Sequence, residues 1–141
     1  TSLIVFSASP ASDYEDLARE AGADSYVEKS AGAAQICKVL REFLAEVNRK
    51  AALFRQKLEG LVAAHPDVFE SVRGQGLMLG LRCRIAPAEV VSAGYAEHIL
   101  TVPAADNVLR LLPPLTITDS EIAEAVRRLD ATAARLSAKA A

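Results

Sequence analysis

The 141 residues carry 16 Lys+Arg against 18 Asp+Glu, a net charge of −2, and 51% of them are hydrophobic. So much apolar surface at so little net charge excludes a disordered chain, and the near-balance of signs leaves no basic face for a phosphate backbone. Four Phe, three Tyr and no Trp exclude an aromatic platform for base stacking, and no apolar run nears the roughly 20 residues of a membrane span. The N-terminus lacks the basic start and small-residue cleavage site of a secretion signal. A soluble, cytoplasmic protein with neither a nucleic-acid nor a membrane partner is expected.

Leu3-Ile4-Val5-Phe6 is a continuous apolar run ending in small polar residues, the pattern of a strand buried on both faces of a parallel sheet. Ser12-Asp13-Tyr14-Glu15 has the Ser-x-x-Glu form of a capping box and opens a helix. Leu17, Ala18 and Ala21 are expected to face inward along it, and Gly22 to end it. Ser25-Tyr26-Val27 reads as a second strand, so residues 3 to 28 make one strand–helix–strand unit.

From Ala33 the apolar positions run Ile36, Val39, Leu40, Phe43, Leu44, Val47, Ala51, Phe54, Leu58, Leu61 and Val62, stepping by three or four. That period is helical. An unbroken helix here would be roughly 45 Å long at 1.5 Å per residue, so a kink near Asn48 or a helix joining two lobes is expected. His65-Pro66 ends it, because Pro disfavours helix in the residue before it. Val72 to Cys83 reads as one strand punctuated by Gly74, Gly76 and Gly80. Pro87 opens a short helix with Val90, Val91 and Tyr95 apolar. Leu100-Thr101-Val102 and Val108 to Leu112 are strands around a turn at Ala105-Asp106-Asn107. Thr118-Asp119-Ser120-Glu121 is a second capping box, starting a helix whose inner stripe is Ile122, Val126, Leu129, Ala133 and Leu136. Cys37 and Cys83 lie in apolar periodic segments without the close pairing of a zinc or redox motif, and both read as buried thiols. No metal site is expected. The fold class is mixed α/β: a strand–helix–strand half joined through a long helix to a small α/β domain of about three strands and a C-terminal helix.

Two resemblances meet inside that long helix. Leu3-Ile4-Val5-Phe6-Ser7 and Ala21-Gly22-Ala23-Asp24-Ser25-Tyr26-Val27-Glu28-Lys29-Ser30 resemble the second half of a response-regulator receiver domain. The resemblance implies that Ser7 stands at the switch hydroxyl, Tyr26 at the switch aromatic and Lys29 at the phosphate-contacting lysine. The phosphate-accepting Asp and the acidic pair for Mg²⁺ have no counterpart in residues 1–42, so phosphoryl transfer lacks its nucleophile and its charge neutraliser.

Residues 43–141 resemble the C-terminal small domain of class III pyridoxal-phosphate aminotransferases, nearest to the acetylornithine and succinyldiaminopimelate type. The resemblance rests on His65-Pro66-Asp67-Val68-Phe69, on Val72-Arg73-Gly74-Gln75-Gly76-Leu77-Met78-Leu79-Gly80-Leu81, on Leu100-Thr101-Val102-Pro103-Ala104, and on Asn107-Val108-Leu109-Arg110-Leu111-Leu112-Pro113-Pro114-Leu115. In that family the arginine of Arg-x-x-Pro-Pro-Leu, here Arg110, binds the substrate α-carboxylate. A planar guanidinium fork suits a carboxylate as Lys does not. Transamination also needs a Schiff-base lysine, a carboxylate on the pyridine nitrogen and a phosphate cup. No aminotransferase cofactor motif surrounds Lys29, Lys38, Lys50, Lys57 or Lys139.

The expectation is therefore a chimera of receiver-like residues 1–42 and aminotransferase-like residues 43–141, with no catalytic residue, no cofactor and no enzymatic activity of its own. Unpaired strand edges point to a homo-oligomer, as a dimer or a domain swap. Two alternatives stay open: a fragment or subunit of an acetylornithine-type aminotransferase, or a remnant signalling module around Ser7, Tyr26 and Lys29.

Overall fold

A computed structural model describes residues 3–8, 10–23, 25–29 and 33–140. Its chain separates into two units, residues 1–47 and 48–141.

In the first unit β1 (Ile4–Ser7), α1 (Ala11–Glu20) and β2 (Ser25–Glu28) follow one another, and the N-terminal half of α2 (Ala33–Ala64) completes it. β1 and β2 pair in parallel, Val5 opposite Tyr26 and Ser7 opposite Glu28, so the expected strand–helix–strand unit is present. Helix α1 starts earlier than the Ser12–Glu15 box implies: Pro10 is its N-cap, without a side-chain capping bond, and the Ser12 side chain lies outside the described residues. Leu17 is 59% exposed rather than inward, whereas Tyr26 and Val27 are buried. Helix α2 is continuous through Asn48. Its apolar stripe is exposed at Leu40 and Leu44 and becomes buried from Ala51 onward, at Phe54, Leu58 and Leu61.

The second unit adds a four-stranded antiparallel sheet in the order β3 (Phe69–Gln75), β4 (Met78–Cys83), β6 (Val108–Leu111), β5 (Val102–Ala104). The single strand expected over Val72 to Cys83 is two strands. Gln75 opposes Met78, leaving Gly76 and Leu77 as a two-residue loop, and Gly76 takes φ +58 at the position where such tight turns require it. The strand expected at Leu100–Val102 lies two residues later, and Leu100 is 84% exposed. The turn before β6 is where it was expected: Asp106 and Asn107 both adopt positive φ, which short polar side chains tolerate. The Asn107 amide donates to the carbonyls of Cys83 and Ile85, tying that turn to the end of β4.

Alternation along the central strands sends Leu79, Leu81, Cys83, Leu109 and Leu111 to one face, where all are buried. Against it the core takes Phe54, Leu58 and Leu61 from α2, Val90 from α3 (Pro87–Ala96), and Ile122, Leu129 and Ala133 from α4 (Asp119–Ala140), among others such as Val68 and Phe69. Tyr95, counted with the apolar side of α3, is exposed. Helices α2 and α4 run side by side in the same direction, tied by Arg49 to Asp119 at 2.7 Å and by His65 to Asp130 at 2.7 Å. The second capping box forms as read: the Thr118 backbone N–H donates to the Glu121 carboxylate at 2.8 Å, and the Glu121 N–H donates to the Thr118 hydroxyl.

Of the two thiols only Cys83 is buried, and burial pushes its pKa up to about 11. Cys37 is exposed on α2, because the helix face that carries it has no cover there.

Candidate functional site

The carboxylates around α4 are set for electrostatic anchoring. Hydrogen bonds from Arg127 and then Arg128 hold the Glu124 carboxyl down to about 2. Arg49 lowers Asp119, and the Thr118 backbone N–H lowers Glu121. Carboxylates depressed in the folded state lend stability that is complete above their unfolded pKa and is lost as pH falls through the folded value. The urea midpoint of the second unit should therefore drop as pH falls from about 4.5 toward 2. A Glu124→Gln variant should drop less steeply and meet the wild type near pH 2. Parallel curves for the two proteins would refute the assignment.

Arg110 stands on β6, between buried Leu109 and Leu111, so its side chain leaves the sheet on the face opposite the core. Directly across from it are Gly80 on β4 and Val102 on β5. The chain then leaves the sheet at Leu112-Pro113, which with Phe54, Leu100, Leu111 and Ile117 lines an apolar cavity of about 160 Å³. Arg110 itself is exposed. Gly80 owes its identity to close packing, since a Cβ there would lie 2.6 Å from Val108 Cγ1.

The receiver-like residues Ser7, Tyr26 and Lys29 lie in the other unit. The Lys29 backbone N–H donates to the Ser7 carbonyl at 2.6 Å, bringing those two residues together at the C-terminal end of the parallel pair. Tyr26 is buried within β2, opposite Val5, whereas Lys29 is exposed. Among the described residues no group of three or more His, Cys, Asp or Glu could hold a metal ion. No described helix is long and apolar enough to cross a membrane. Sequence reasoning passed over Arg73, which lies on β3 in the same cross-strand row as Gly80 and Arg110. Two arginines flanking a glycine in the paired register would have signalled it, had the hairpin been recognised.

Comparison with known proteins places these features. The aminotransferase class-III family profile matches residues 27–133. Acetylornithine aminotransferase of Rhodobacter capsulatus is 69% identical over 99 residues, covering 70% of this chain and 25% of the relative. The enzyme of the same name from Agrobacterium fabrum is 50% identical over 99 residues, with the same coverage of 70% and 25%. Among solved structures, N-acetylornithine aminotransferase from Stenotrophomonas maltophilia superposes with a TM-score of 0.64 at 33% identity, covering 70% of this chain and 28% of that one. The chain thus spans about a quarter of the length of the curated relatives it matches.

Two expectations change. The reading of the chain as non-enzymatic is overturned, because its family and its relatives are aminotransferases. The receiver resemblance of residues 1–42, and with it the chimera, gains no support: the family match begins at residue 27, inside that segment, and the relatives are aminotransferases. Mixed α/β architecture and a match over residues 27–133 agree, and the chain belongs to the class-III aminotransferase family.

Proposed function

We propose that this chain is a segment of an acetylornithine-type aminotransferase, and that Arg110 binds the α-carboxylate of the molecule that gives or receives the amino group. The observation that carries this reading is the 69% identity over 99 residues to acetylornithine aminotransferase of Rhodobacter capsulatus; the placement of Arg110 supports its role, exposed on the open face of the sheet with no hydrogen bond or ion pair among the described residues. A guanidinium left free by its own fold is ready for a bidentate carboxylate.

The family's cofactor, pyridoxal phosphate, supplies the electron sink for moving the amino group. The described residues do not fit it. Lys57 lines a cavity of about 370 Å³ with Arg127 and Asp130, but its walls are the last two turns of α2 and the first half of α4. Backbone N–H groups there are spent inside the helices, so nothing forms a phosphate cup, and Asp130 already meets His65. In our reading the cofactor and its lysine belong to the part of the relatives that this chain does not span. Catalysis is then a joint product, to which this segment brings the carboxylate contact. A homo-oligomer in the cytoplasm suits the same reading, since exposed Leu40 and Leu44 on α2 offer apolar surface to a second copy.

The test is a segment exchange. Residues 43–141 replace the corresponding stretch of the Rhodobacter capsulatus enzyme, with which 99 residues align at 69% identity, and amino transfer from acetylornithine is measured. Retained turnover is expected. A folded, cofactor-loaded hybrid without turnover would overturn the reading.

A further inference from the structure

The cavity of about 160 Å³ at the end of β6 lies on the core side of the sheet, and every side chain that lines it is apolar. Phe54 of α2, Leu111 of β6, Ile117 and Leu129 of α4 are its buried walls. Leu100 and Leu112, 84% and 56% exposed, are its outer ones, so the cavity opens to solvent beside them. None of these side chains offers a hydrogen-bond donor or acceptor.

The walls are pinned from outside. On one side the Ile99 N–H donates to the Gly94 carbonyl at 3.0 Å, and Arg128 donates to the His98 carbonyl at 2.6 Å. Gly94 packs so near that a Cβ there would lie 3.2 Å from Ile99 Cγ2. On the other side Pro113 and Pro114 fix the backbone as it leaves β6, and the Ile117 N–H donates to the Pro114 carbonyl at 3.1 Å. Walls held in this way cannot collapse to fill the space, so the lining forgoes contacts that a packed interior would make. Water is a poor filler, because it needs two to four polar partners.

We infer that this cavity is a binding site for a small, neutral, apolar molecule of about six carbons, the size of benzene. An engineered cavity of about 150 Å³ lined by Leu, Ile and Phe stays dry and takes benzene or xenon for the same physical reason. A charged or strongly polar ligand is excluded, since it would lose its hydration and find no partner among the side chains. The site is distinct from Arg110: neighbouring residues of a strand project to opposite faces, and Leu111, not Arg110, lines the cavity. The inference therefore stands apart from the carboxylate role proposed above.

NMR of the methyl groups in the 141-residue chain, titrated with benzene and in parallel with phenol, tests this. Benzene is expected to move the methyls of Leu111, Ile117 and Leu129 along one saturable curve and to leave those of Leu40 and Leu44, exposed on α2, unmoved. Phenol should bind roughly tenfold more weakly or worse, because its hydroxyl would be buried unpaired. Ala125→Leu places a larger side chain in the cavity and should weaken benzene binding roughly tenfold or more while keeping or raising the Tm. Ile117→Val, a conservative change, makes room for one more methyl and should shift the preference toward toluene over benzene. The site is refuted if benzene gives no saturable shift, if Leu40 and Leu44 respond as strongly as the cavity walls, or if phenol binds as tightly as benzene. Should Ala125→Leu not fold, an unchanged toluene preference in Ile117→Val refutes it equally.

Discussion

Replacing Arg110 with Ala in the segment-exchanged aminotransferase is expected to lower kcat/KM for acetylornithine by roughly 10²- to 10³-fold, the loss of a bidentate charge-assisted contact to a bound carboxylate. The fold should be untouched. Arg110 is exposed, and among the described residues it is bonded to nothing that its removal would orphan. Circular dichroism and the unfolding midpoint should therefore match those of the parent hybrid, which separates a lost substrate contact from a lost structure. Arg110→Lys should recover only part of the rate, because an ammonium offers a point charge where the guanidinium offers a planar fork. If the carboxylate is gripped equally in ground and transition states, the loss falls on KM; a fall in kcat would show that the contact tightens as the reaction proceeds. A change under threefold in kcat/KM would remove Arg110 from the substrate site.

How much of this was legible beforehand depended on whether a signal was local. The capping box Thr118–Glu121 and the turn at Asp106-Asn107 are decided by side chains bonding backbone within a few residues, and both formed as read. The amphipathic stripe of α4 is equally local: Ile122, Leu129 and Ala133 are buried at helical spacing. In α2 the same kind of stripe predicted the helix but not its burial. Periodicity says which side is apolar; whether Leu44 or Leu58 is covered depends on chain remote in sequence. Cys37 was misjudged for that reason.

The most consequential miss was the hairpin. Leu77 to Leu81 is apolar enough to merge with Val72 into one strand, and only the pairing of Gln75 with Met78 separates them. Register followed from that turn, and with register came the row that sets Arg73 beside Arg110. The residue proposed to bind the carboxylate was reached through the motif Arg110-Leu111-Leu112-Pro113-Pro114-Leu115 and the family it resembles, since one exposed arginine carries no signal alone. Residues 1–42 teach the opposite lesson. A short parallel strand pair with a Ser and a Lys at its end is a local pattern, so it indicated the local structure, while the lineage it suggested found no support.

The glycines of the hairpin carry the second large effect. Gly74 has φ +105, and a Cβ built on it would run into the Met78 carbonyl oxygen and sit 3.0 Å from Leu79 Cα. Both obstacles are backbone of the paired strand, which cannot swing aside as a side chain can. Gly74→Ala must therefore bear the strain of positive φ, about 1–3 kcal/mol, and also displace β4. A total near 3 kcal/mol is expected, equivalent to a fall of roughly 12–24 °C in the Tm of a unit this size. The Gly74 carbonyl also accepts from Arg55, so a shift of the hairpin loosens its tie to α2 as well. Gly60 is the matched control. It lies inside α2 with nothing within 4 Å of an added Cβ, and Gly60→Ala should stabilise by about 0.5–1 kcal/mol through helix propensity alone. Thermal unfolding of the two variants should move in opposite directions from the wild type. Were Gly74→Ala neutral, the pairing of Gly74 with Leu79 could not be as described, and the common row of Arg73, Gly80 and Arg110 would lose its foundation.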